Sequence, residues 1–256
     1  MKLIYEDLIT AVSSSTEDSD WPDDNVSDDF QINVWKATTN TATLTLTVNS
    51  LSNSLALHNI NADYVSIAVK NTAETETYYT SETVNLGGVV DLLEFMTWEP
   101  DLTSIMPRNA WFEYPKQYAN HKIIVSFGLT DTSDVVQCGI ARAGVRFEIE
   151  NPAYGINETL VDKSPVKVLN DGSIYYKKLT IFRHISFEIL VERERKFYAF
   201  QNYLIRNVFG SQPVSWFITD KETDSDWVVF GRLIQMPASK HETNKHTRMS
   251  LTIQEA

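Results

Sequence analysis

The residues with the clearest capacity for chemistry are two histidines, one cysteine, a run of carboxylates and a group of aromatics. His241-Glu242-Thr243-Asn244-Lys245-His246 has the composition of a zinc-hydrolase helix. Such a helix needs its histidines four residues apart, so that both imidazoles reach one metal from one side. Here they are five apart, about 140° round a helix of 3.6 residues per turn. The segment also follows Pro237 and reads as a loop, so no zinc site is expected. Cys138 lies inside an apolar, strand-like run, where a thiol is normally buried and inert. A nucleophilic cysteine needs a partner base, and no spacing ties His121 to Cys138. Gly87-Gly88 is an isolated pair rather than a phosphate-binding loop, and no Gly-x-Ser-x-Gly elbow occurs. The expected inventory is therefore empty: no catalytic residue, no cofactor-binding residue and no metal ligand. The chain is not expected to be an enzyme.

Two binding chemistries stay open. Asp18-Ser19-Asp20-Trp21-Pro22-Asp23-Asp24-Asn25 clusters oxygens of the kind that hold calcium. The EF-hand spacing is absent, with no glycine at the sixth loop position and no glutamate at the twelfth, so a solvated acidic loop is the plainer expectation. Trp98, Trp111, Phe112 and Tyr114 could form a platform for stacking sugars. Aromatics in a β protein more often fill the core or an interface.

These residues must be positioned by strands. From about residue 31 the dominant period is two. Gln31-Ile32-Asn33-Val34-Trp35-Lys36 alternates polar and apolar, and Ala42-Thr43-Leu44-Thr45-Leu46-Thr47-Val48 does so more strictly. Leu44, Leu46 and Val48 should face inward and the threonines outward. Asp63–Lys70 continues the pattern, with further strands expected at Val89–Phe95, Ala110–Tyr114, Lys122–Leu129, Val135–Ala141, Arg146–Ile149 and Val166–Leu169. Turn chemistry separates them at Asn49-Ser50, Gly87-Gly88, Asn151-Pro152 and Asn170-Asp171-Gly172, the last reading as a hairpin turn. Strands at this spacing without intervening helices predict an antiparallel, jelly-roll-like β-sandwich. Near residue 180 the pattern changes. Leu179–Val191 reads as a long strand, and Phe197, Phe200, Leu204 and Val208 share one helical face ahead of Gly210 and Pro213. Val214–Ile218, Trp227–Ile234 and Thr247–Ile253 are strand-like again. The expected organisation is an acidic arm over 1–30, a β-sandwich over 31–178 and a smaller β–helix–β module over 179–256. The fold class is mainly β.

Composition narrows the partners. With 43% hydrophobic residues the chain can bury a core, and no stretch approaches the roughly 20 apolar residues that span a bilayer. Insertion into a membrane is not expected. Met1-Lys2-Leu3-Ile4-Tyr5-Glu6-Asp7 turns acidic before an apolar leader region can form, so a secretory signal is not expected. One cysteine allows no internal disulfide, which fits synthesis in a reducing cytoplasm. The net charge is −12, and the first 30 residues hold nine acids against the single base Lys2, so −8 of it lies there. Nucleic acid is not an expected partner.

Five stretches of the chain resemble a known family. Ser13-Ser14-Ser15 precedes the aromatic-proline loop Asp18–Val26. Val34-Trp35-Lys36-Ala37-Thr38 supplies a tryptophan strand, and Ala42–Val48 and Ala62–Val69 supply alternating strands. In this order they resemble the discoidin-like, galactose-binding-type sandwich found in many phage virion proteins, over roughly residues 8–70 and more weakly to about 185. The Phe197–Phe209 segment, Gln212–Trp216, Trp227–Arg232 and Met249–Glu255 look like modules that close phage tail proteins. The resemblance implies a structural component of a bacteriophage virion, in the tail or baseplate. It would dock to other tail proteins and to its own copies in a ring, after synthesis in the bacterial host cytoplasm. The alternative it implies is a carbohydrate-binding module recognising a bacterial surface glycan. Family members that bind sugar use polar and basic residues at the sandwich tip. Those loops do not align here, so no ligand residue carries over. A hydrolase using scattered acids is a third reading, but no catalytic pair stands out among the 34 acids.

Overall fold

The computed structural model describes residues 1–30, 32–86, 108–152, 155–162, 166–168, 174–176, 181–192, 212–219, 227–235, 237–241 and 246–255. Among the described residues the first strands are β1 (Lys2–Ile4), β2 (Ile9–Ser14), β3 (Trp35–Lys36), β4 (Thr41–Val48), β5 (Ser52–Asn61) and β6 (Tyr64–Asn71). They continue with β7 (Thr77–Thr80), β8 (Val84–Asn85), β9 (Arg108–Tyr118), β10 (His121–Gly128), β11 (Gln137–Gly144), β12 (Phe147–Glu148) and β13 (Asn157–Asp162). The rest are β14 (Val166–Val168), β15 (Ile174–Tyr176), β16 (Ile181–Glu192), β17 (Val214–Phe217), β18 (Val228–Leu233), β19 (Ala238–His241) and β20 (His246–Glu255). A short 3-10 helix spans Asp23–Ser27. The protein is mainly β and its pairings are antiparallel, as the alternating pattern predicts.

The chain forms two compact units, Met1–Glu148 with Val214–Val229, and Ile149–Pro213 with Phe230–Ala256. In the first, one sheet runs β2-β4-β10-β6-β7, with β8 also on β6. A second runs β3-β11-β5-β9. Leu44, Leu46, Val48, Val65, Ile67, Val69, Ile123, Val125 and Phe127 from the first sheet pack against Trp35, Leu55, Leu57, Ile60, Phe112, Tyr114, Cys138 and Ala143 from the second. This is the predicted sandwich core. The inward set of β4 is fully buried, each side chain stabilising the fold by about 1.5–3 kcal/mol. The threonines between them are half-exposed or exposed.

The outer face of the second sheet is also covered over part of its length. β1 pairs with β12 and β17 and lies against it. Leu8 N donates to Ala143 O at 2.8 Å, and a Cβ on Gly144 would stand 2.5 Å from Glu6 O. Glycine is required there because no side chain fits. Across the sheet, Trp111 stacks on Phe217 at 5.6 Å, and Asn109 Nδ2 donates to Val228 O at 2.6 Å. The middle strands β5 and β11 are therefore buried on both faces.

Residues 1–30 contribute β1, β2 and the 3-10 helix to this unit. Arg142 binds them from β11. Its guanidinium pairs with Asp7 at 2.8 Å and with Asp29, and donates to Ser27 O at 3.2 Å and Asp28 O at 2.9 Å.

In the second unit β20 pairs with β16, β19 and the later half of β18, and β13 flanks β16. The β14–β15 strands pair antiparallel, as a hairpin across residues 169–173 requires; the Asn170-Asp171-Gly172 turn itself lies outside the described residues. So do the expected strand Val89–Phe95, Trp98, Gly87-Gly88 and the expected helix Phe197–Phe209. One prediction is corrected directly. The alternation from residue 31 to 36 yields a strand only at Trp35–Lys36, and Ile32, expected inside, is 81% exposed. Asn33 N instead closes a turn onto Phe30 O at 3.0 Å.

Candidate functional site

Where the second sheet of the first unit extends past its cover, three register partners form a row. Lys36 on β3 stands opposite Gln137 on β11, which stands opposite Asn61 on β5. Directly paired residues project from one face, and all three are half-buried. The core-facing set one step along is Trp35, Cys138 and Ile60, so the polar three must face outward. The row is lengthened at both ends. At the β3 end, Lys36 N donates to Trp21 O at 3.1 Å, and Lys36 Nζ sits 4.0 Å over the Trp21 ring. The Trp21 loop is fixed by Trp21 N donating to Asp18 O at 2.9 Å and by Asp18 Oδ1 accepting Asp20 N at 3.0 Å. At the β5 end, Asn61 Nδ2 donates to Asp134 Oδ2 at 3.2 Å and to Val135 O at 3.4 Å. Asp63 Oδ2 accepts Thr130 N at 2.7 Å, which anchors the start of that loop.

The row therefore offers an indole, an ammonium, two amides and a carboxylate on a backbone fixed by ladder hydrogen bonds. Amides donate and accept, carboxylates accept, and an ammonium donates. An aromatic plane covers an apolar ring face. This set matches a polyhydroxylated ring better than a reacting bond. No residue of the row is a hydroxyl or thiol nucleophile.

The groups with nucleophilic chemistry lie elsewhere and are buried. Ser215 Oγ is 2.8 Å from His58 Nε2, and Ser52 Oγ is 3.1 Å from His121 Nε2, with Tyr114 hydrogen-bonded to the same serine. Both pairs have serine–base spacing. All four residues are fully buried, so solvent and substrate do not reach them. Burial holds His58 down to about 3, helped by the nearby Arg142 charge, and holds His121 down to about 4. These are structural contacts that satisfy buried polar groups. Burial pushes the Cys138 thiol up to about 12. As expected, that cysteine sits in the core.

The other sequence candidates separate. Phe112 and Tyr114 are 4% and 1% exposed, so they are core residues and not a stacking surface. Trp111 points to the opposite face, is half-buried, and donates from Nε1 to Glu113 Oε1 at 2.9 Å. The proposed platform is therefore not assembled. Among the described residues no group of three histidine, cysteine or acidic side chains could hold a metal ion, the Asp18–Asn25 run included. His241 ends β19 and His246 begins β20. Sequence reasoning missed the row itself. Lys36, Gln137 and Asn61 are joined by strand register, which no local pattern encodes.

No family model matches the chain, and no curated protein matches it in sequence. Solved structures with partial likeness include one of reduced XRCC1 bound to the DNA polymerase β catalytic domain, at 16% identity, covering 54% of this chain and 97% of that one, with a TM-score of 0.40. Another is a pectin-binding carbohydrate-binding module, at 11% identity over 54% and 91% of the two chains, TM-score 0.38. A third is chitosan-binding module 1 of a chitosanase/glucanase from Paenibacillus sp. IK-5, at 14% identity over 54% and 98%, TM-score 0.39. The class that the fold itself defines is an antiparallel β-sandwich protein.

Proposed function

We propose that the chain is a non-catalytic binding protein whose first unit recognises a carbohydrate through the row Trp21, Lys36, Gln137 and Asn61. The observation behind this reading is the row's geometry. Two flat amides, Gln137 and Asn61, and the Lys36 ammonium project from one sheet face outside its covered part, and the Trp21 loop sets an indole beside Lys36. Rigid presentation limits the ordering cost of binding. A place in a ring-shaped tail assembly has no observation among the described residues behind it, and the glycan reading takes precedence.

The test is a glycan array followed by calorimetry on the best hit, with Trp21→Ala and Gln137→Ala beside the parent. Each substitution should weaken binding about tenfold, corresponding to 1.4 kcal/mol for a lost stacking surface or hydrogen-bonding pair. Both side chains are outside the core, so melting temperatures should stay near that of the parent. An array at background, or a hit whose affinity neither substitution alters, overturns the reading.

A further inference from the structure

The two middle strands of the second sheet exchange faces along their length. Along β5 the core-facing residues are Leu55 and Leu57, then Ile60 and, just past the strand, Ala62. Along β11 they are Ala143 and Ala141, then Cys138 and, just before the strand, Val136. An unbroken pleat keeps one parity on one face. Both strands therefore swap faces, β5 between Leu57 and Ile60 and β11 between Ala141 and Cys138. The covered part turns out His58, which reaches Ser215. Beyond the swap the same strands turn out Asn61 and Gln137.

The swap is built at Asn59. Against β9, β5 advances from Leu57 to Ile60 while its partner moves only from Ala110 to Arg108, so β5 carries one extra residue. Asn59 has a φ of 55°. Among the described residues the other non-glycine positive φ values belong to Glu74 and Asn120, which lie between strands, whereas Asn59 lies within one. This left-handed conformation suits glycine and asparagine and is costly for branched side chains. It persists where the surroundings hold it. Here the buried Asn109 does so: its Oδ1 accepts Asn59 N at 3.1 Å and its Nδ2 donates to Val228 O at 2.6 Å. Bulges of this kind re-aim side chains beside functional surfaces. With an unbroken pleat, Ile60 and Cys138 would face outward at the row, and Asn61 and Gln137 would enter the core.

We propose that Asn59 is the positioning residue of the row, whose left-handed backbone exchanges an apolar patch for two amides on the sheet face beyond the cover. It acts through the backbone, by aiming Asn61 and, across the ladder, Gln137. Its part in recognition rests on the glycan reading above; the exchange of faces does not.

The test compares Asn59→Gly, Asn59→Ala and Asn59→Val in the full chain. Val69→Ala, a core loss in the opposite sheet, controls for stability alone. The first readout is thiol labelling of Cys138 in native protein, beside the unfolding rate of the same variant. The parent, Asn59→Gly and Val69→Ala should label no faster than they unfold. Asn59→Ala and Asn59→Val should label roughly tenfold or more faster than they unfold, because Ile60 and its register partner Cys138 turn outward together. If the valine variant does not fold, the milder alanine variant is read in the same way. The second readout is affinity for the glycan that the parent binds. Asn59→Gly and Val69→Ala should match the parent, and the alanine and valine variants should bind roughly tenfold or more weakly. The proposal is overturned if the alanine and valine variants label only at their unfolding rates. It is also overturned if the glycine variant loses binding as the valine variant does, or if all bind the glycan alike. A parent that binds no glycan removes the glycan reading alone, and the order of labelling then decides by itself whether Asn59 sets the face.

Discussion

His58 sits at the centre of a doubly covered strand, and its burial makes the stability of the first unit depend on pH. The imidazole is fully buried, with Nε2 2.8 Å from Ser215 Oγ. Burial, then the charge of Arg142, hold its pKa at about 3 against 6.5 in an exposed chain, while a hydrogen bond with Asn109 opposes them. The folded protein therefore binds fewer protons than the unfolded chain between those two values. Stability is fully present above pH 6.5, and acidification draws the equilibrium toward the unfolded, protonated form until the folded pKa is reached. At 1.36 kcal/mol per pH unit, the loss between pH 7 and pH 5 is about 2 kcal/mol from this one group. That is a large share of a net stability on the order of 5–15 kcal/mol. The assay is guanidinium unfolding at pH 7, 6 and 5 for the parent and for His58→Gln. Glutamine can still bond Ser215 but does not titrate. The parent should lose about 2 kcal/mol more than the variant over this window. Parallel stability profiles for the two proteins would show that His58 is not held neutral by the fold, and the reasoning would fail.

Two further outcomes follow from buried groups. Arg142→Met removes the cation that faces Asp7, whose carboxyl burial already raises above its ordinary range despite that cation. The first unit should lose about 3–5 kcal/mol, read as a fall in the denaturant midpoint; a loss below 1 kcal/mol would mean that water reaches Asp7. Cys138 is buried with its thiol pushed up to about 12, so a thiol reagent at neutral pH should label it at the rate of unfolding, not at the rate of a free thiol. Prompt labelling of native protein would place it outside the core.

What the sequence showed depends on how many faces of a strand are buried. β4 has one wet face and one dry face, so Leu44, Leu46 and Val48 were legible from alternation alone. β5 is buried on both faces and places Ser52, Ser54 and His58 in the interior, so its alternation is erased. β5 is absent from the expected strands, because the partners of its polar residues, Tyr114, His121 and Ser215, are distant in sequence. The charge count was correct but its meaning was not local. Asp7 and Asp29 read as part of an acidic arm, yet both are counter-ions of an arginine more than a hundred residues away. On β9, alternation could have separated Trp111 from Phe112 and Tyr114, since adjacent residues of a strand face opposite ways.

The same double burial explains where a site can be. From Ser54 to His58 on β5, and from Ile140 to Gly144 on β11, the outward face of the second sheet lies in the covered zone. Polar groups there are kept only as internally satisfied contacts, such as His58 with Ser215. One step beyond the cover, the same two strands turn out Gln137 and Asn61, and β3 adds Lys36. These groups are half-exposed. β1 and β17 therefore do more than stabilise the sandwich. By ending where they do, they divide one sheet face into a buried part and a half-exposed part that carries the proposed row. A substitution that loosens the cover, such as Arg142→Met, should lower stability without changing the specificity of the row. A substitution in the row should do the reverse.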